Sequence, residues 1–397
     1  MRVAVLSLHT SPAAQPGQGD AGGMNVYVQA TARQLARLGH QVEIFTADPQ
    51  APTSGSVVLA PGVRLHQLTV PAEDKDELAE VVAELAAEIA VHPALTEIDL
   101  VWAHYWISGA VALELRAQTP LAISFHTIAE VKDRDTGRQS EPAERVSAER
   151  AIAAAADILV ANTSQEAADL QQLLGAAGER IVVAPPGVDH EIFTPGPMQL
   201  ARRAVGEESA DLLLLYVGRM QHVKGTDTAI DGFAALRRLD PVLAARTRLV
   251  MLGAASGHDA DDAAFTERIG RAGLADQVEI LPPVPAETLV QWYRAADVVL
   301  VPSRSESFGF AAAEAAAVGV PVVASAVGGL EYIVEAGVTG LLVAEDDPLT
   351  WARALEILLP DPALRARMGE SAHRRAQRFD WHQCVAAVVA AAERRHP

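Results

Sequence analysis

Cysteine is almost missing from this 397-residue chain: Cys384 stands alone. No internal disulfide can form, and a reducing, cytoplasmic setting fits. Lysine is nearly as scarce. Lys75, Lys132 and Lys224 are the only three among 32 basic residues, so these positions favour a compact, swivelling charge over the planar fork of arginine. Long apolar runs are lacking too. None reaches the roughly 20 residues of a membrane span, and residues 1–8 form a strand-sized segment without a signal-peptide cleavage site. Positive charge is in deficit, with 51 Asp and Glu giving a formal net charge of -19. That balance argues against nucleic acid or an anionic membrane as a general partner, and stable membrane insertion is not expected. A small anionic substrate remains open wherever cations gather locally.

What is present is ordinary in bulk and specific in detail. Half the residues are hydrophobic and 21% are charged, as in a soluble globular protein. The length is too great for one typical core, so two domains are expected. Apolar strand-like runs fall at 2–8, 42–45, 63–70, 99–103, 121–125, 158–161 and 181–184. Helical patterns lie between them. Met24, Tyr27, Val28, Thr31, Leu35 and Leu38 recur at helical spacing before Gly39, and a second helix is expected over 76–90. Pro185-Pro186-Gly187 through Pro195-Gly196-Pro197 reads as a linker. Beyond it the alternation restarts, with strands at 212–217, 247–252, 278–281, 298–301, 322–324 and 340–343.

This order predicts an α/β fold of two doubly wound parallel-sheet, Rossmann-like domains, 1–190 and 195–379. A last helix, about 380–397 and capped by Asp380, is expected to return to the first. Ligands of such sheets bind beyond the carboxyl ends of the strands, so the site is expected in a cleft where the domains face each other.

Three strand–loop–helix junctions carry the chemistry. The first is Gly17-Gln18-Gly19-Asp20-Ala21-Gly22-Gly23-Met24-Asn25, a turn of the phosphate-cradling kind. Its spacing is not Gly-x-Gly-x-x-Gly and no acidic residue clearly ends the next strand, which weakens a nicotinamide reading. Asp20 and Asn25 offer acceptors and donors to a polyol instead. The second, Gly218-Arg219-Met220-Gln221-His222-Val223-Lys224-Gly225, brings two cations that could neutralise a diphosphate leaving group without a metal. The third, Arg304-Ser305-Glu306-Ser307-Phe308-Gly309, opens a helix through Gly309 and sets Glu306 eight positions before Glu314. The helix start suits an anion. Two carboxylates beside it suit hydroxyl donors, such as a ribose and a hexose joined through a diphosphate. His104-Tyr105-Trp106 and Ser124-Phe125-His126-Thr127 add two histidine-bearing strand ends in the first domain.

These elements resemble the retaining glycosyltransferases of the glycogen-synthase-like family, over essentially the whole chain. The Glu-x7-Glu element, Gly-Arg-x4-Lys-Gly and the Val-Ala-Pro-Pro-Gly-Val-Asp linker carry the likeness. The opening, His9-Thr10-Ser11-Pro12 and then Gln15-Pro16-Gly17 through Tyr27, resembles more narrowly the D-inositol-3-phosphate glycosyltransferases that begin mycothiol biosynthesis. The resemblance implies the two-domain GT-B fold and a UDP-sugar donor, UDP-N-acetylglucosamine. It places an acceptor phosphate on Lys75, Tyr105, Thr127 and Arg145. It lines the inositol ring with His9, Gln15, Pro16, Asp20, Ala21, Gly22, Gly23, Met24 and Asn25. Gly23 falls near the donor diphosphate, with Arg219 and Lys224 as its cationic partners. Glu306 falls at the donor sugar, Glu314 at the ribose, Val284 at the uracil, and His126 beside the reacting carbon. The family also admits a non-catalytic magnesium ion on backbone carbonyls near Tyr293, Arg294 and Ala296, and a homodimer. The segment 47–70 and the stretch 132–139 depart from the pattern.

The resulting expectation is transfer of N-acetylglucosamine from UDP to 1D-myo-inositol 3-phosphate with retention. His126, Arg219, Lys224 and Glu306 are the catalytic candidates, and no cofactor is obligatory. The alternatives are the same chemistry on a hexose phosphate or lipid-linked sugar, an epimerase of the same fold, and a non-catalytic nucleotide-sugar-binding subunit.

Overall fold

Runs of four to six Leu, Val and Ile residues, each followed by a polar turn and a helix, suit parallel strands buried on both faces. The computed structural model describes every residue except 48–54, 70, 71, 73, 116–118, 256–261, 396 and 397. Its contacts divide the chain into two units, one of Met1–Pro16, Gly23–Pro186 and Asp380–Pro397, the other of Gly17–Gly22 and Gly187–Phe379.

The first unit contains β1 (Arg2–Leu6), β2 (Gln41–Thr46), β3 (Gly55–Ala60), β4 (Val63–Gln67), β5 (Leu100–His104), β6 (Leu121–Ser124), β7 (Ile158–Ala161) and β8 (Ile181–Val183). Their spatial order is β3-β4-β2-β1-β5-β6-β7-β8. All pairings are parallel except β3 with β4. Ala4, Leu6, Ala103, Ile123 and Leu159 lie in its buried core. β1 and β5 are neighbours whose chain continues to opposite edges, which makes the ends of these two strands the switch point.

The second unit contains β9 (Leu212–Val217), β10 (Thr247–Leu252), β11 (Val278–Leu281), β12 (Val298–Val301), β13 (Val322–Ser325) and β14 (Gly340–Val343). They are all parallel, in the order β11-β10-β9-β12-β13-β14. Leu213, Leu215, Val299 and Val301 join one core cluster, Leu214, Tyr216, Met251 and Leu300 the other. Alternate residues thus face opposite helix layers. Here the switch point lies between β9 and β12. The loops that leave those two strands are the Arg219–Lys224 and Glu306 loops.

Several features differ from the sequence expectation; the strands expected over 2–8 and 121–125, for example, end at Leu6 and Ser124. β3 was not expected: it is an antiparallel edge strand whose Val57 and Val58 are exposed, so no inward alternation announces it. The helix expected over 76–90 is two, Lys75–Glu80 and Val82–Ala90, broken at Val81. The adjacent β-branched Val81 and Val82 weaken it there. The strand expected over 63–70 ends at Gln67; its expected end, Val70, lies outside the described residues. The last helix, Trp381–Glu393, begins with the Asp380 carboxylate accepting from the His382 N–H at 2.8 Å. It belongs to the first unit, where Cys384 lies 3.7 Å from the Tyr27 hydroxyl. The last two residues of the expected 380–397 segment are outside the described residues.

Candidate active site

The second unit builds its site by pressing two loops together. Gly225 has φ +67°, and a Cβ there would lie 1.9 Å from the carbonyl oxygen of Pro302. Glycine alone permits that approach. Arg304 then ties the loops. Its N–H donates to the Val223 carbonyl at 2.8 Å, and its guanidinium donates to the His222 carbonyl, both Asp227 oxygens, Thr228 and Asp346. The Lys224 ammonium thereby reaches Glu306 Oε2 at 2.7 Å, and that oxygen also accepts from the Ser303 hydroxyl at 3.2 Å. The expected diphosphate cation and the expected sugar-binding carboxylate are therefore ion-paired with each other. Arg219 Nη1 lies 3.8 Å from Asp20, and Gly22 packs beside the same guanidinium. The 17–22 run thus brings a carboxylate and a close backbone approach to the cationic loop.

From Glu306 the chain passes through Phe308, which is buried, to Gly309, whose φ of +102° begins the helix Phe310–Val318. Glu314 sits within this helix and is only 8% exposed. It accepts a hydrogen bond of 2.8 Å from the Tyr293 hydroxyl. Burial pushes the Glu314 carboxyl up to about 7, with the Tyr293 bond opposing. The Tyr293 hydroxyl is itself held well above its usual range by burial and by Glu314. Val284 packs, partly buried, against the same core.

In the first unit the candidates collect where β5 and β6 end. Tyr105 and His126, the residues just past those ends, have φ of +73° and +61°. Left-handed backbone is costly for bulky side chains and tends to be kept where a site needs it. Arg145, from the helix Ala143–Ala155, is buried. Its Cζ lies 4.9 Å from the centre of the Tyr105 ring. Nη2 donates to the carbonyl and hydroxyl of Thr127, both at 2.9 Å, Nε to Glu149 at 2.7 Å, and Nη1 to Glu141. Lys132 also pairs with Glu141. Burial raises the Tyr105 hydroxyl, while the charges of Arg145 and Lys75 oppose it. Lys75, which opens the helix Lys75–Glu80, therefore acts on the same ring as Arg145. The His9 ring lies 4.4 Å from that of Tyr105. Tyr105, Thr127 and Arg145 are thus one cluster, whose ring also feels the charge of Lys75, and its arginine is already held by two carboxylates.

The polyol run is split. His9, Gln15, Pro16, Gly23, Met24 and Asn25 belong to the first unit, whereas Asp20, Ala21 and Gly22 belong to the second. Asn25 is buried, and its amide donates to Thr10 Oγ1 at 2.9 Å and the Ser11 carbonyl at 2.7 Å. It pins the loop after β1 to the helix Gly23–Arg37. Gln15 donates to the neighbouring Pro16 carbonyl at 3.4 Å. The backbone carbonyls of Tyr293, Arg294 and Ala296 lie at the end of the helix Ala286–Ala295. The Tyr293 carbonyl already accepts from the Ala296 N–H, and the Ala295 carbonyl accepts from the buried Arg202 guanidinium at 3.1 Å. Among the described residues no group of three or more His, Cys, Asp or Glu is placed to hold a metal, and no helix is long and apolar enough to cross a membrane. Two residues escaped the sequence reading. Tyr293 was weighed only as a backbone ligand, and Arg304 was passed over although it lies two positions before Glu306.

Comparison with known proteins fits this layout. Residues 198–375 match the family described as glycosyl transferases group 1, and residues 22–187 match the glycosyl transferase 4-like domain. The D-inositol 3-phosphate glycosyltransferase of Xylanimonas cellulosilytica is 44% identical, with 100% of this chain and 98% of that protein covered. The chain belongs to this family of glycosyltransferases. The same-named glycosyltransferase of Kribbella flavida is 42% identical, over 98% of this chain and 95% of its own length. Sucrose-phosphate synthase of Thermosynechococcus elongatus superposes with a TM-score of 0.90 at 29% identity, covering 99% of this chain and 98% of that one. Anabaena HepE, solved with UDP-glucose, has a TM-score of 0.71 at 20% identity over 98% and 99%, and shows the shared GT-B fold alone.

Proposed function

We propose that this glycosyltransferase moves N-acetylglucosamine from UDP-N-acetylglucosamine to 1D-myo-inositol 3-phosphate, retaining the anomeric configuration. The observation that carries the reading is the Tyr105, Thr127 and Arg145 cluster at the ends of β5 and β6. It sets the Arg145 guanidinium, offset by Glu141 and Glu149, against the Tyr105 ring and the Thr127 hydroxyl, donors of the kind an acceptor phosphate requires. The relatives at 42–44% identity are named for the same acceptor. The donor is assigned to the second unit, with the diphosphate on Arg219 and Lys224, the ribose on Glu314, the sugar hydroxyls on Glu306 and the uracil beside Val284. His126 is assigned to the reacting sugar.

Among the described residues none stands out as a covalent nucleophile. The leaving diphosphate takes the proton of the attacking hydroxyl as the new bond forms on the face it vacates. Protein groups lower the barrier by stabilising the charge that grows on that leaving group, at roughly 3–4 kcal/mol for one well-placed donor. Lys224 is held by Glu306 before the donor arrives, so its ammonium is already oriented and little reorganisation remains. The likeness to a sucrose-phosphate synthase favours a second reading, with a hexose phosphate as acceptor. Incubation of the enzyme with UDP-N-acetylglucosamine and each candidate acceptor, with NMR of the product, tests both. An α-linked N-acetylglucosaminide of inositol 3-phosphate supports the first reading. A β-linkage, a hexose phosphate product, or no transfer overturns it.

A further inference from the structure

His104 is not assigned to any ligand, yet it touches the residue placed beside the reacting sugar. It closes β5, is fully buried, and its Nδ1 lies 2.9 Å from His126 Nε2. The two rings are nearly parallel, 24° apart with centroids 5.2 Å apart. Register explains the contact, since His104 pairs with Ser124 on β6 and His126 follows two residues later. Aromatic rings wall in the pair: Tyr27 meets both histidines edge-on, and Trp102 lies against His104.

One proton sits between the two nitrogens, and it belongs to one ring or the other. The opposite nitrogen of His104, Nε2, is buried and has no hydrogen-bond partner among the described residues. If Nε2 carried a hydrogen, an N–H donor would be stranded in an apolar wall, and orphaned buried donors are rarer than orphaned acceptors. His104 therefore carries its hydrogen on Nδ1 and donates it to His126 Nε2. A neutral His126 must then carry its own hydrogen on Nδ1. Burial holds both rings uncharged: His126 is lowered to about 3, and His104 falls well below its usual range through burial and the neighbouring ring.

We infer that His104 is a positioning residue that locks His126 in the Nδ1–H tautomer, so that His126 meets the transferred sugar as a hydrogen-bond donor and not as a base. The left-handed backbone at His126 serves the same end by fixing the direction of the ring. Which nitrogen of a histidine is protonated is commonly set by the bond made at the other. A donor at this place binds a sugar oxygen without drawing away the acceptor's proton, which the leaving diphosphate is to receive.

The inference rests in part on the proposed transfer, so its test has two arms. In the first, the full chain labelled with 15N-histidine is studied without substrate. His126 is expected as an Nδ1–H tautomer with a bare Nε2, unchanged from pH 5 to pH 8. An Nε2–H signal for His126 overturns the inference whatever the acceptor proves to be. In the second arm, His104→Phe keeps a ring but removes the donor, whereas His104→Asn keeps an N–H near the former Nδ1. With the phenylalanine variant kcat is expected to fall roughly 10- to 100-fold, the scale seen for outer-shell partners of metal-bound histidines, with KM for the acceptor within about twofold. His126 should also lose its single tautomer. The asparagine variant should recover most of kcat and the Nδ1–H signal. An undiminished kcat in a folded His104→Phe protein, or an Asn variant as poor as Phe, refutes the role. Failure of the inositol phosphate reading would appear as absent transfer in the parent protein, with the tautomer unaffected.

Discussion

Replacing Glu314 with glutamine should stabilise the protein at alkaline pH while weakening donor binding. The Glu314 carboxyl rises from the ordinary 4.5 to about 7 through burial. A shift of about 2.5 units corresponds to about 3 kcal/mol. Because the folded chain holds this proton more tightly than the unfolded chain, the group's contribution is complete below pH 4.5. It is lost as the pH climbs to about 7. Above that the folded state carries a buried charge that accepts from the Tyr293 hydroxyl at 2.8 Å. Glutamine keeps a carbonyl for Tyr293 and cannot ionise. The variant's advantage should widen from about 1 kcal/mol at pH 5 to about 3 kcal/mol at pH 8, read from urea unfolding at each pH. Binding should show the opposite sign. A ribose diol donates to the ionised carboxylate, so UDP-sugar affinity should rise about tenfold per pH unit up to about 7 and then level off, with a proton released. The glutamine variant should bind weakly at every pH. A stability gap that stays flat from pH 5 to 8, or affinity that improves on acidification, would refute the reasoning.

Other substitutions probe the remaining parts. Lys224→Met leaves Glu306 without its 2.7 Å partner and should lower kcat about 100-fold or more, with a smaller change in UDP affinity, as steady-state kinetics and calorimetry would show. Gly225→Ala combines φ +67° with a 1.9 Å approach to the Pro302 carbonyl. It should cost roughly 4 kcal/mol or more, at the extreme of single substitutions, visible as a large fall in thermal midpoint. Thr127→Val removes a hydroxyl bonded to Arg145 at 2.9 Å and should raise KM for the phosphorylated acceptor by about tenfold, the worth of roughly 1.4 kcal/mol, leaving donor affinity unchanged.

The sheets were legible because alternation of apolar runs and helical patterns is a local signal. The runs at 212–217, 247–252, 278–281, 298–301 and 340–343 coincide with β9, β10, β11, β12 and β14. The edge strand β3 was not, because Val57 and Val58 face outward and show no inward face. The motif loops could be picked out by their Gly, Arg and Glu content, but their internal pairings could not. Lys224 and Glu306 lie 82 residues apart, Tyr293 and Glu314 21, His104 and His126 22. Each pair meets because of strand order or helix packing, which no local pattern states. Asn25 shows the converse: a residue chosen for its polar chemistry has its amide turned inward to hold a loop. Arg304 shows why motif reading undervalues some positions, since its role is to bind two loops together through six acceptor atoms on five residues.

The reading turns on an acceptor phosphate seated at Arg145, and discrimination between inositol 3-phosphate and unphosphorylated inositol measures that most directly. UDP release from UDP-N-acetylglucosamine should show kcat/KM at least about a thousandfold higher for the phosphorylated acceptor, equivalent to roughly 4 kcal/mol. That margin should shrink strongly in Arg145→Ala. Equal rates on the two acceptors, or a margin that survives the loss of Arg145, would contradict the account.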